Sequence, residues 1–112
     1  MNQDRRKYIR ATLNLLIKYE TMEEFYSDYT SNLSLGGMFI KTDRPLPVGT
    51  ELRVHFMLPE GDGSVTAEGV VMHNTLDDED ADIEGMGIEF NRLNDDARKL
   101  IESAVEKSPK EL

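Results

Sequence analysis

The chain has 112 residues, 38% of them hydrophobic, and carries 22 acidic against 13 basic side chains, a formal net charge of -9. This length supports one modest core and not two, and this charge disfavours DNA or RNA binding through phosphate neutralisation. With no cysteine, disulfides and thiolate metal sites are excluded; no apolar run reaches signal-peptide or membrane-span length, so a cytoplasmic protein without membrane insertion is expected.

Residues 1–10 lack apolar periodicity and read as a mobile basic arm, with Arg5, Arg6, Lys7 and Arg10 crowded together in an otherwise acidic chain. Such a cluster is a local trap for a small anion, because the rest of the molecule repels a long polyanion. Strand alternation then begins, with Leu13, Leu15, Ile17 and Tyr19 on one face and Thr12, Asn14 and Lys18 opposite; Leu16 breaks the polar side. A turn near Thr21 and Met22 leads into a returning strand from Glu24 to Thr30, rich in aromatic residues. The segment Asn32-Leu33-Ser34-Leu35-Gly36-Gly37 is a polar turn, followed by a short strand from Met38 to Thr42.

Pro45, Pro47 and Gly49 mark a rigid connection. Leu52, Val54, Phe56 and Leu58 alternate cleanly with Arg53, His55 and Met57, predicting a half-buried strand. Residues 59–63 are a turn, Val65 to His73 another strand, Asp77 to Glu84 an exposed acidic loop, and Met86 to Phe90 a last strand. The period then changes. Ala97, Leu100, Ile101, Ala104 and Val105 form one apolar stripe of a helix over 94–107, with Asn94 as N-cap and Asp95 and Asp96 in the first turn. The elements predict a single domain over 1–112, all-β, with six strands in a barrel and a closing C-terminal helix.

Two segments carry chemistry. Arg6 and Arg10 stand as R-x-x-x-R; by itself this is compatible with a solvated terminal tail. The arginine fork also pairs with phosphate or with the O6/N7 edge of guanine, and stacks on flat rings. Asn32-x-Ser34-x-x-Gly37 is compatible with a plain β-turn. It also offers a ligand an amide, a hydroxyl and an unhindered backbone at Gly36 and Gly37. The chain between Arg10 and Asn32 is about one hairpin long, so its return could bring the turn beside the arm.

The remaining candidates are bland. His55 and His73 sit on strands with no cysteine or close histidine partner, which argues against a metal site. The acidic run lacks EF-hand spacing, Ser34 is not in a G-x-S-x-G setting, and no organised acid, base and nucleophile set points to an enzyme.

With Arg6 to Arg10 and Asn32 to Gly37 in this order, and with Pro45 to Gly49 and Gly85 to Phe90 following, the chain resembles the PilZ domain family over nearly its whole length. The resemblance implies a six-stranded antiparallel PilZ-type β-barrel with a C-terminal helix, and binding of the bacterial second messenger cyclic di-GMP with no cofactor. It implies Arg6 and Arg10 as principal ligands of guanine and phosphate, and Arg5 as an auxiliary. Asn32 and Ser34 would hydrogen-bond a base or phosphate, while Gly36 and Gly37 keep the approach clear. Many members have Asp where Asn32 stands; an amide donates as well as accepts. The implied function is a stand-alone receptor whose arm orders on the ligand and signals to a protein effector; the alternative is a PilZ-type interaction module that binds no nucleotide.

Overall fold

A computed structural model describes residues 10–61 and 63–109. Six strands, β1 (Ala11–Glu20), β2 (Phe25–Leu33), β3 (Gly37–Lys41), β4 (Glu51–Met57), β5 (Ser64–Asn74) and β6 (Gly85–Arg92), precede one helix, α1 (Asp95–Lys107). All neighbouring strands pair antiparallel and close into a barrel in the order β1-β2-β3-β6-β5-β4.

The inside of the barrel is written in the alternation. Leu15, Ile17 and Tyr19 of β1 are buried, as are Leu52, Val54 and Phe56 of β4, while Leu16 and Met57 face out. At roughly 25 cal/mol per Å2 of apolar surface removed from water, this one-sided burial drives closure. The connection from β3 to β4 passes the ends of β6 and β5: Leu46 N donates to Met86 Sδ at 3.4 Å, and the Asn74 side-chain amide donates to the Leu46 carbonyl at 2.9 Å.

Helix α1 lays Ala97, Ile101 and Ala104 on the barrel. Its N-terminus is capped by Asn94 Oδ1, which accepts from Ala97 N at 2.7 Å. Beyond its C-terminus the Pro109 carbonyl accepts from Thr12 N at 2.7 Å. Strand β4 pairs with β1 only over Ile17 to Glu20, so the segment after the helix satisfies a backbone donor on the part of β1 that β4 does not reach.

Several boundaries differ from the sequence-based expectation. Strand β2 runs through Asn32 to Leu33, so the turn is confined to Ser34, Leu35 and Gly36. The turn at Pro59–Gly61 is a short 3-10 helix, and β6 continues to Arg92. Arg5 and Arg6, with the rest of residues 1–9, lie outside the described residues.

Candidate functional site

The site begins with an irregularity in β2. Thr30 pairs with Ile40 and Asn32 with Phe39, leaving Ser31 without a partner on β3. On the other side Leu13 and Asn14 of β1 fall between the pairs Thr12–Asn32 and Leu15–Thr30. Plain alternation would put Thr30 and Leu33 on opposite faces, yet both are fully buried. The bulge therefore shifts the phase and turns Asn32 to the outside of the barrel. The buried Thr30 hydroxyl braces it, lying 2.7 Å from the Asn32 carbonyl oxygen and against that of Phe39.

Outward-facing Asn32 meets the base of the basic arm. Arg10 Nη1 donates to Asn32 Oδ1 at 2.9 Å, and the same oxygen accepts from Phe39 N at 3.3 Å. The amide oxygen is thus tied to the sheet and to the guanidinium at once, which anchors the end of the Arg10 side chain at Asn32.

The loop after β2 is held from below. Ser34 is 2% exposed; its hydroxyl accepts from Gly36 N at 3.1 Å and Gly37 N at 3.2 Å, while Ser34 N donates to the Gly37 carbonyl at 2.9 Å. The Gly36 carbonyl accepts from Phe90 N at 2.9 Å, docking the loop on β6. Gly37 leaves no room for a side chain, since a Cβ there would stand 1.9 Å from the Ile88 carbonyl oxygen. The Ser34 hydroxyl thus lies beneath the loop, where it organises the backbone of Gly36 and Gly37.

The structure thus brings Arg10 and Asn32 together, with the Ser34 to Gly37 loop directly following Asn32 on the chain. Two neighbours escaped the sequence reading. Phe39 pairs with Asn32 across β2 and β3, and His73 lies beyond it on β5, their rings 6.2 Å apart. The signal that could have found them is Gly87, a glycine inside a strand, which marks close approach by another group.

Other polar clusters are less suited to an anion. A cleft of about 400 Å3 is lined by Glu20, Glu51 and Glu68 together with Arg53 and Arg92. Its carboxylates oppose phosphate, and Arg53 already pairs with Glu68 at 3.6 Å. His55 faces Thr66 Oγ1 at 3.0 Å and Glu20 at 3.4 Å. Among the described residues no group of three or more His, Cys, Asp or Glu side chains is arranged to hold a metal ion, and no helix is long and apolar enough to cross a membrane.

The PilZ domain family profile matches residues 4–107, and the chain belongs to that family. Among solved structures, the inhibitor of motility MotI/DgrA of Bacillus subtilis superposes with a TM-score of 0.75 at 22% identity, covering 91% of this chain and 50% of that one. The PilZ domain of YcgR from Escherichia coli, solved with c-di-GMP, gives 0.71 at 12% identity, over 93% and 91% of the two chains. The MrkH–c-di-GMP complex of K. pneumonia gives 0.71 at 22% identity, over 88% and 49%. At these identities the likeness is one of fold, and this chain spans about half the length of MotI/DgrA and MrkH. No curated protein sequence matches it.

Proposed function

We propose that this domain is a non-enzymatic receptor for cyclic di-GMP, a cytoplasmic bacterial signalling module that passes the signal to a protein partner. The observation that carries this reading is the Arg10–Asn32 hydrogen bond at 2.9 Å, which joins the two motif segments on one outer face. Two relatives of the same fold, YcgR and MrkH, were solved with c-di-GMP.

In this reading Arg10 offers its fork to a guanine edge or a phosphate, and Arg5 and Arg6 close on the ligand from the N-terminal side. Asn32 positions Arg10 and meets the ligand with its remaining hydrogen-bonding capacity. Ser34 shapes the loop, and Gly36 and Gly37 let the ligand approach its backbone. Each charge-assisted bond contributes about 1.5–3 kcal/mol, against roughly 1 kcal/mol or more for every backbone residue ordered. A balance near -8 kcal/mol corresponds to about micromolar affinity, suited to a reversible sensor.

Calorimetric titration tests the reading. Saturable heat with cyclic di-GMP, at one nucleotide or a stacked pair per chain, is the expected result. Absence of heat at tens of micromolar nucleotide would leave a PilZ-type module that works through protein contacts alone.

A further inference from the structure

Strand β6 carries Gly85 and Gly87 on its outer face, and each lies under an aromatic ring. Gly87 pairs with Phe39 on β3 and with His73 on β5. A Cβ on Gly87 would stand 2.1 Å from His73 Nε2, and one on Gly85 would stand 2.6 Å from Phe39 Cε2. Both rings therefore lie down against the sheet. Their planes are within 27° of parallel and their centroids 6.2 Å apart, inside the range of offset aromatic pairs. Phe39 is partly exposed and His73 exposed.

The two glycines have different causes. Gly85 is required by the backbone in any case, because a Cβ there would stand 2.2 Å from the Ile40 carbonyl oxygen. At Gly87 the three nearest atoms all belong to the imidazole of His73, a side chain and not backbone. Glycine inside a strand weakens it, so the position is explained by lowering His73 to the level of the sheet beside Phe39.

We propose that Phe39 and His73 form a stacking shelf for one purine base of the ligand, next to the Arg10–Asn32 pair. The inference rests on the proposed cyclic di-GMP reading and assigns a second recognition element to that site. Phe39 is held at the end of the polar chain, since its amide donates to the same Asn32 oxygen that Arg10 engages. A base lying flat on the shelf turns its edge sideways, and the O6/N7 edge of guanine is the one an arginine fork matches. Stacking holds the plane and the fork reads the edge.

The chain has no tryptophan, so His73→Trp introduces a unique reporter. The parent, His73→Ala, Phe39→Leu and His73→Trp are titrated with cyclic di-GMP by calorimetry, the last also by fluorescence, and their melting temperatures are compared. His73→Ala and Phe39→Leu are expected to weaken binding about tenfold, in line with loss of base–aromatic stacking, with the melting temperature of His73→Ala unchanged. His73→Trp is expected to retain affinity and to lose emission in proportion to occupancy. If the parent binds while His73→Ala matches its affinity and Trp emission stays constant, the shelf is wrong and the receptor reading stands. If the parent itself does not bind, both are wrong.

Discussion

Arg10 and Asn32, 22 residues apart in sequence, share a hydrogen bond of 2.9 Å in which Nη1 donates to Oδ1. Arg10→Ala is expected to lower cyclic di-GMP affinity at least tenfold, and Arg10→Lys to lower it nearly as much, because an ammonium cannot reproduce the fork. Asn32→Asp keeps both acceptor contacts but loses the amide's two donors, so it is expected to bind more weakly than the parent, whereas Asn32→Leu removes donors and acceptors alike and is expected to fail. Calorimetry on the four variants checks this; full binding by Arg10→Lys would reduce the site to charge attraction.

The Ser34 hydroxyl serves the loop's backbone. Ser34→Ala leaves the amides of Gly36 and Gly37 without their acceptor, at an expected loss of about 1–3 kcal/mol in folding stability. Denaturant unfolding measures it. Ligand affinity should fall by less than it does in Arg10→Ala.

Gly37 is a packing requirement. In Gly37→Ala the new methyl group meets the Ile88 carbonyl oxygen, which the β3–β6 ladder holds in place. A cost of about 3 kcal/mol or more is expected, since overpacking against backbone has no side chain to yield. Thermal unfolding of this variant should show the largest drop in the set, with or without ligand.

Tyr19 sets an alkaline limit. Burial first, and then its hydrogen bond of 2.8 Å to Asp28, push the phenol well above its ordinary pKa of 10. The unfolded chain ionises this group at a lower pH than the folded one, so its contribution is complete below pH 10 and is lost as the pH rises further. The slope approaches about 1.4 kcal/mol per pH unit for one such group. The bond from Tyr26 to Glu24 raises the Tyr26 pKa in the same direction. Unfolding free energy measured from neutral into alkaline solution should decline above pH 10, and Tyr19→Phe should flatten that decline.

Most of the barrel was legible because its strands are one-sided. Leu52, Val54, Phe56 and Leu58 are all buried, as their alternation with Arg53, His55 and Met57 requires. The helix was equally plain, with its stripe and its Asn94 cap both in place. Strand β2 was harder to read. Phe25 and Tyr29 are 83% and 58% exposed, so aromatic content did not identify its inner face. Its continuation through Asn32 depends on the bulge at Ser31, and a bulge is set by what the partner strands can pair with. The same limit hid Phe39 and His73, which become neighbours only when β3, β6 and β5 fall into register. The packing of Ser34 was not legible, because its burial and its bonds to the Gly36 and Gly37 amides depend on the loop docking on β6.

The most direct test of the account is to map amide shifts by NMR as cyclic di-GMP is titrated into the intact chain. The expected perturbations centre on residues 5–12 and 32–39, with His73 and Gly87 following. No perturbation, or one centred on the cleft lined by Glu20, Arg53 and Arg92, would contradict it.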